Sequence, residues 1–292
     1  MNCYAQKFSI IHSYIELTKP RILTLVLVTT FIGFFLGGQG IHSWRLLITT
    51  ILGAALVCAG ASALNHYLER DVDCLMLRTQ NRPIPLGIIS PVKALNFGII
   101  LILLGISILW NQVNLLTAFL SLLTAFMYVV IYTPLKRISW LNTIIGAIPG
   151  AIPPMGGWTA ATNQLDFGAW VLFAILFVWQ HPHFFAIAWM CKDDYKRGGF
   201  KMLPVVEPDG AKTFFLIKLF SIILIPVSLM PFFIGMSGTI YFYGALLAGI
   251  LLLAVGMSLA ISKSSEAAHR MLKATVYYLP VLLFLIVMDV SF

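Results

Sequence analysis

The chain carries few charged side chains, and its acidic residues concentrate in two short segments. Of 11 acidic residues in 292, five lie in segments 65–73 and 193–194. The first segment spaces Asn65, Glu69 and Asp73 four residues apart, so on a helix their side chains stack on one face. Such a row of oxygen ligands suits Mg²⁺, which binds through one or two carboxylates together with substrate phosphates.

The second acidic segment, Asp193-Asp194, extends this candidate metal set. Asp194 follows His183 by three helical turns, and we expect both on nearly the same face of one helix. Solvated loop carboxylates that balance nearby basic residues are the alternative. That alternative fits Asp193 better than it fits the evenly spaced triplet.

Basic residues follow the acidic ones where they could meet a phosphate. Arg78 and Arg82 are four residues apart, and Lys136 and Arg137 form a second basic pair. Carboxylates for a metal together with arginine forks predict a diphosphate site. Contact with anionic lipids is the alternative, but it explains the run from Arg78 to Pro83 less well.

A histidine pair, His181-Pro182-His183, lies inside an apolar stretch. Ionisable residues within membrane spans are by default functional candidates. An interhelical hydrogen bond is the structural alternative.

The elements that position these residues follow from composition. With 60% hydrophobic and 10% charged residues, against about 25% charged in soluble domains, the chain is neither disordered, nor a secreted disulfide scaffold, nor one soluble domain. The net charge of +8 sits in clusters between uncharged stretches, so no nucleic-acid partner is expected. Cys3, Cys58, Cys74 and Cys191 show no metal-type pairing, and we interpret them as reduced thiols.

Uncharged stretches predict nine membrane spans, all helical because lipid cannot satisfy backbone polar groups. The spans lie within residues 21–45, 45–69, 93–136 (two, with a turn at 110–114), 137–166, 166–192, 218–263 (two, with a turn near 235–238) and 273–292.

This nine-span topology sorts the basic residues by side. Of 19 Lys and Arg residues only Arg45 falls on the second side, which leaves 18 on the first. The positive-inside rule therefore places the N-terminal segment 1–20 in the cytoplasm and the C-terminus outside. Within that segment, residues 8–17 could form an amphipathic helix on the membrane surface.

Span five contains Pro149, Pro153 and Pro154 followed by Gly156-Gly157. Irregular backbone at membrane depth is tolerated where protein or a cavity covers it. We therefore expect these residues to interrupt the helix and form a cavity wall near Trp158.

Several motifs together resemble the intramembrane UbiA-type prenyltransferases, and among them the protohaem IX farnesyltransferase (haem O synthase) branch. The similar stretches, which follow one another over nearly the whole chain, are residues 65–83, 132–137, 150–158, 179–184, and 193–195 with Gly199 and 202–205. Glu69 stands where the general family has aspartate. Met190 stands four residues before Asp194, where another aspartate is usual.

The resemblance implies one intramembrane domain over 1–292, built from two four-helix pseudo-repeats and a ninth helix around a central cavity with a cytoplasmic active-site rim. It implies a bacterial inner-membrane enzyme that transfers farnesyl from farnesyl diphosphate to the 2-vinyl group of haem b, with water, giving haem O. The resemblance also implies that the protein works with terminal oxidase assembly or with haem A synthase.

On this reading the site residues take three roles. Mg²⁺ is held by Asn65, Glu69, Asp73, Asp193 and Asp194, of which all but Asp193 are counted as catalytic. The diphosphate is held by Arg78, Arg82, Lys136 and Arg137. His183 binds haem iron or positions the water.

Other classes remain open. A related prenyltransferase could act on another lipophilic aromatic acceptor, but it should carry two full aspartate motifs. A secondary transporter would place ionisable residues near the midplane with broken helices. A structural assembly subunit would not need the stacked triplet.

Overall fold

The computed structural model describes residues 9–291, and within them the chain is almost entirely helical. A single bridge between Ser237 and Val290 is the one β-type pairing in this range. The helices are α1 (Ile10–Leu17), α2 (Pro20–Gly37), α3 (Trp44–Asp73), α4 (Pro91–Gln112), α5 (Leu115–Phe126), a π-helical segment (Met127–Tyr132), α6 (Thr133–Leu135), α7 (Asn142–Thr162), α8 (Phe167–Met190), α9 (Lys192–Arg197), α10 (Leu203–Val206), α11 (Ala211–Phe233), α12 (Thr239–Ser262) and α13 (Ser265–Met288).

The all-α, multi-span architecture predicted from the sequence is confirmed. Eight helical segments in the described range are long and apolar enough to cross a membrane. They are α2, α3, α4, the continuous segment Leu115–Leu135, α8, α11, α12 and α13. The predicted turns also recur, because α4 ends at Gln112 before α5, and α11 ends at Phe233 before α12.

The fifth predicted span is α7, a helix of 21 residues that is not among these eight. Proline, glycine and threonine make it less apolar than its neighbours. The expectation that its prolines interrupt the helix is wrong, since Pro149, Pro153 and Pro154 all lie inside continuous helix. α7 packs against α2, α5 and α8, so protein surrounds the backbone groups that proline leaves unpaired.

Because α3 is long, the acidic triplet near its end lies at the membrane edge. Ser43 caps the helix by accepting from the Leu46 N–H, and the helix then continues for 30 residues to Asp73. The apolar core of a bilayer needs only about 20 helical residues. The last turns of α3, with Glu69 and Asp73, therefore reach the interfacial layer without a break in the helix.

The N-terminal segment contributes a short helix beside α3. Residues 1–8, which belong to the predicted segment 1–20, lie outside the described range, as does Cys3. α1 begins at Ile10, buries Ser13 and Leu17, and exposes Ile11 and Ile15. This amphipathic pattern agrees with a helix at a membrane surface. The remaining cysteines are free thiols.

Glycines allow the closest helix contacts, as is usual where lipid supplies no hydrophobic drive for helix association. A Cβ placed on Gly157 of α7 would lie 1.9 Å from the Thr30 carbonyl oxygen of α2, and one on Gly33 of α2 would lie 1.9 Å from the Pro154 oxygen. The backbones of α2 and α7 thus touch directly, and this contact fixes one wall of the bundle.

We expect Gly157→Ala to destabilise the protein by about 1–3 kcal/mol, the usual penalty for overpacking. Gly156→Ala is the matched control, because a Cβ there meets no atom within 4 Å. Alanine also favours helix by up to about 1 kcal/mol over glycine. Thermal unfolding in detergent should lower the Tm only for Gly157→Ala, and equal Tm values for both variants would contradict the close contact.

Candidate active site

A cavity of about 510 Å³ runs into the helix bundle from the membrane edge where α3 ends. Glu69, Asp73, Arg78, Arg82 and Lys136 line it at that edge. Further in, mostly apolar residues are interspersed with hydroxyl groups, and His183 lies in this inner part. The volume falls within the range of roughly 300–1,000 Å³ typical of small-molecule sites.

Each of the two carboxylates of α3 is paired with a cation from another segment. Lys136 Nζ donates to Glu69 Oε1 at 2.6 Å. Arg82 NH1 donates to both oxygens of Asp73 at 2.8 and 2.7 Å, and lies 3.9 Å from Glu69 Oε2. Glu69 is 4% exposed and Asp73 fully buried. Buried charges of this kind need such partners, because desolvation is costly.

Asn65, the third member of the triplet, lies behind these carboxylates. It is fully buried, and its Nδ2 donates to Thr133 Oγ1 at 2.9 Å. Its Oδ1 accepts from the ammonium group of Lys19, which also donates to the Tyr128 hydroxyl at 3.2 Å. Lys19 lines the cavity, so each residue of the triplet has its own cationic neighbour.

The π-helical segment explains how Thr133 and Tyr128 reach this position. Thr133 Oγ1 donates to the carbonyl of Tyr128, five residues earlier, at 2.8 Å. A π-helical turn within an α-helix often marks a functional site. Tyr128 and Tyr132 consequently both line the cavity, with ring centroids 5.6 Å apart.

The surroundings of Lys19 and Lys136 shift the pKa values of these two lysines in opposite directions. Burial, with the nearby guanidinium of Arg82, lowers the pKa of Lys19 to about 7. Burial also disfavours charge on Lys136, but Tyr132 and Glu69 outweigh it and raise the pKa of Lys136 above its usual value. Lys136 is therefore held as a cation, whereas Lys19 changes between its charged and neutral forms near pH 7.

Asp194 does not join the triplet. α8 ends at Met190 and α9 begins at Lys192, so the expectation that Asp194 and His183 share one helix face is wrong. The Asp194 oxygens accept from the backbone N–H groups of Leu77 and Arg78 at 2.9 and 3.2 Å, and Arg197 adds an ion pair. Burial alone would raise the pKa of Asp194, but Arg197 and the two backbone N–H groups together outweigh it and hold this pKa below its usual value.

Asp193 and Arg137 lie outside the cavity. Asp193 is exposed. Arg137 is also exposed and donates to the carbonyl of Leu68 at 3.3 Å. Of the predicted diphosphate-binding residues, the structure brings Arg78, Arg82 and Lys136 to the cavity.

His183 contacts α13 and faces the cavity. Its Nδ1 lies 2.9 Å from Thr275 Oγ1, and its ring stacks on Trp179 with centroids 5.0 Å apart. His181 instead turns away, with Nδ1 at 2.7 Å from the Phe177 carbonyl and its ring 3.7 Å from that of Phe220. The two histidines of the motif thus have different surroundings.

The predicted cavity wall on α7 consists of Pro149, Gly150, Pro153 and Gly156. Trp158 lies instead beside a separate hollow at the opposite end of the bundle. Its indole N–H donates to Asp166 at 3.2 Å.

Sequence reasoning missed several lining residues: Lys19, Tyr128, Tyr132, Gln180 and Tyr195. Lys19 had a detectable signal, since a lysine directly before a proline that opens a span marks a charged group at a helix start. Tyr132, Gln180 and Tyr195 lie in the stretches that carry the family resemblance. Tyr128 had no signal, because it lies in the π-helical segment.

The described residues contain no cluster of three His, Cys, Asp or Glu side chains that could hold a metal alone. Two carboxylates one helical turn apart nevertheless line a cavity, with the Asn65 amide beside them. Mg²⁺ commonly binds in this way, through one or two carboxylates with substrate phosphates completing its shell. The residues present therefore fit Mg²⁺, which Glu69 and Asp73 would hold together with a substrate phosphate.

Comparison with known proteins identifies the class. The sequence profile of the UbiA prenyltransferase family matches residues 26–284. The chain therefore belongs to the UbiA prenyltransferase family, and it is a membrane-embedded prenyltransferase enzyme.

Curated relatives define the group within the family. Proteins named Protoheme IX farnesyltransferase from Solibacter usitatus (strain Ellin6076) and Salinibacter ruber (strain DSM 13855 / M31) are 45% and 42% identical over 285 and 276 residues. Each alignment covers 94% of this chain and 98% of the relative. The chain falls in the group of proteins that bear this name.

Solved structures share the fold at low sequence identity. Digeranylgeranylglyceryl phosphate synthase has a TM-score of 0.81 at 16% identity, covering 97% of this chain and 99% of that one. A UbiA homologue from Archaeoglobus fulgidus, bound to GPP and Mg²⁺, has a TM-score of 0.68 at 17% identity, covering 94% and 99%.

We expect Asp194→Asn to loosen the loop after α3. Hydrogen bonds to a charged acceptor contribute about 1.5–3 kcal/mol, so amide exchange at Leu77 and Arg78 should accelerate by about tenfold or more. Hydrogen–deuterium exchange measured by mass spectrometry gives the rate, with exposed Asp193→Asn as the control. Unchanged exchange in Asp194→Asn would contradict the anchoring role.

Proposed function

We propose that this protein transfers the farnesyl group of farnesyl diphosphate to the 2-vinyl group of haem b, with addition of water, giving haem O and diphosphate. The observation that carries the proposal is one continuous cavity that joins a charged rim to an apolar interior. A diphosphate must stay near water, while a farnesyl chain and a porphyrin are lipid-soluble. The names of the relatives above support the same reaction.

The rim residues would bind the diphosphate. Arg78, Arg82 and Lys136 line it with cationic groups, and an arginine fork can hold phosphate oxygens in two-point contacts. As the C–O bond breaks, the electron pair leaves with the diphosphate, and these fixed cations stabilise the growing charge. Arg137, outside the cavity, would add only a longer-range attraction.

Glu69 and Asp73, with Asn65 beside them, would hold Mg²⁺ against the diphosphate. When bound, Mg²⁺ supplies positive charge that makes the diphosphate a better leaving group. The description of the Archaeoglobus fulgidus homologue with GPP and Mg²⁺ supports this dependence. We assign to Asp194 the role of holding the loop that contains Arg78. Neither Asp194 nor Asp193 is included among the proposed Mg²⁺ ligands.

The aromatic rings near the rim would face the allylic cation. Tyr128 and Tyr132 line the cavity, and ring faces attract cations. Lys136 Nζ already lies 4.5 Å from the Tyr132 centroid, so that ring can accept a cation in this environment. Haem b would occupy the inner cavity, where His183 is the candidate residue to meet it.

We also propose the cellular setting. The family resemblance supports a bacterial inner-membrane location. The excess of basic residues on one side supports a cytoplasmic N-terminus and an outside C-terminus. A single domain of two four-helix repeats plus α13 fits the helix order. Terminal oxidase assembly and haem A synthase are the candidate partners for its product.

The function is tested by incubating the purified protein with haem b, farnesyl diphosphate and Mg²⁺, followed by mass spectrometry of the extracted haem. The expected product has gained one farnesyl and one hydroxyl group. Asp73→Asn should give almost none, because the buried site then lacks one of its two carboxylate ligands. Transfer to another aromatic acceptor, with none to haem, would contradict the proposal.

Arg82→Lys should raise the KM for farnesyl diphosphate by about tenfold, equivalent to about 1.4 kcal/mol. Lysine keeps the charge but loses the planar fork that spans two oxygens. Steady-state kinetics at saturating Mg²⁺ and haem measure the effect. The control is Arg270→Lys, the same exchange at an exposed i,i+4 ion pair on α13. A change of less than about twofold for Arg82→Lys would remove it from the diphosphate site.

A further inference from the structure

Gln180 of α8 presents a hydrogen-bond acceptor to the cavity. Its Nε2 donates to the carbonyls of Ala147 and Leu176 at 3.1 and 3.0 Å, which uses both amide hydrogens. The opposite amide orientation would set the oxygen against two carbonyls, so the assignment is determined by its partners. The Oε1 atom lies against Gly150, where a Cβ would come within 2.0 Å of it. Both side-chain hydrogen bonds of Gln180 are made by Nε2, and among the described residues no donor is hydrogen-bonded to Oε1.

His183, one helical turn further along α8, presents a second acceptor. The hydroxyl of Thr275 donates its single hydrogen to the Leu272 carbonyl at 2.7 Å. The hydrogen between His183 Nδ1 and Thr275 Oγ1 must therefore come from the imidazole. This fixes the neutral tautomer with Nδ1 protonated, and it leaves the lone pair of Nε2 for the cavity.

The neighbouring backbone of α7 adds further acceptors. Pro153 and Pro154 have no N–H, so the carbonyls of Pro149 and Gly150 lose their helical donors. Pro149, Gly150, Gln180 and His183 all line the same cavity. In this part of the wall two backbone carbonyls thus lack their helical donors, and such groups require another partner with hydrogens to donate.

We propose that Gln180 Oε1 and His183 Nε2 together hold and deprotonate the water that adds to the haem vinyl group. Residues three apart on a helix are neighbours on one face, and one water can donate one hydrogen to each of the two atoms. Its oxygen lone pair then points into the cavity. The inference rests on the proposed function and names the residues for its last step.

The step balances as a simple addition. The vinyl π pair forms the C–C bond to the farnesyl carbon that diphosphate has left, and a cation remains on the carbon attached to the porphyrin. The water oxygen gives an electron pair to that carbon and forms the C–O bond. His183 Nε2 takes the released proton, and no oxidation or reduction occurs.

The pair of acceptors favours water over iron as the partner of His183. An imidazole alone would suit haem iron. The amide oxygen of Gln180 belongs to the same cavity lining, and two hydrogen bonds donated by Nε2 hold the amide in place. An amide oxygen suits a group that donates hydrogen. Gln180 is therefore a catalytic residue by contact with the water, with no role in binding the macrocycle.

The test compares wild type, Gln180→Met, His183→Ala and His181→Phe in the farnesyl transfer assay, run in oxygen-18 water. Methionine matches the volume of glutamine but lacks the acceptor at that position. His181→Phe is the control, because His181 packs on Phe220 outside the cavity lining. The products are separated by chromatography and weighed, and the Soret band of bound haem b is recorded for each protein.

We expect wild type and His181→Phe to give the hydroxylated product labelled from solvent. In Gln180→Met and His183→Ala, the hydroxylated product should form at least about tenfold more slowly. The trapped cation should instead lose a proton and give a farnesylated haem lighter by one water. The Soret band should be unchanged in Gln180→Met.

Two results overturn the inference separately from the proposed function. If wild type makes hydroxylated farnesyl haem and Gln180→Met makes it at the same rate and in the same proportion, Gln180 does not hold the water. If His183→Ala alone shifts the Soret band while its product stays fully hydroxylated, His183 is an iron ligand. If wild type makes no farnesylated haem, the proposed function fails and the inference fails with it.

Discussion

Two carboxylates buried at the end of a membrane-spanning helix are the constraint on which the site depends. Glu69 and Asp73 cannot remain charged there without nearby cations, and each has one within hydrogen-bond distance. Lys136 comes from the segment after α6 and Arg82 from the loop after α3. The requirement for counter-charge therefore draws two separate connections onto the end of α3 and closes the rim of the cavity.

Further hydrogen bonds hold the same rim together. Asp194 fixes the backbone at Leu77 and Arg78, which joins the loop after α3 to α9. Asn65 is clamped between Thr133 and Lys19. Arg82 is ion-paired with Asp73, and Asp194 anchors the backbone of Arg78. Both arginines are therefore at the rim before a diphosphate arrives, which reduces the reorganisation needed during bond cleavage.

The inner cavity carries hydrogen-bond acceptors, whereas the rim carries cations. Prolines in α7 and the fixed amide of Gln180 expose acceptors with no matching donors, while Gly150 leaves room for the amide. Diphosphate chemistry at the rim needs cations, whereas capture of a carbocation by water needs acceptors. The bundle meets these two demands at different depths of one cavity, and the close α2–α7 contact fixes one wall of the bundle.

Sequence patterns were enough to predict the all-helical membrane architecture, the two turns, the triplet on one face of α3 and the basic residues that follow it. These follow from local rules: uncharged stretches must span the bilayer as helices, and residues four apart share a face. Which carboxylates line the cavity depended on how the helices pack. The break between α8 and α9 turns Asp194 to a backbone anchor, the π-helical segment turns two tyrosines inward, and the hydrogen of Thr275 fixes the tautomer of His183. The outcomes depend on contacts between separate helices: Asp194 meets the loop after α3, the tyrosines meet a cavity that several helices enclose, and His183 meets Thr275 of α13. No pattern within one segment could predict them.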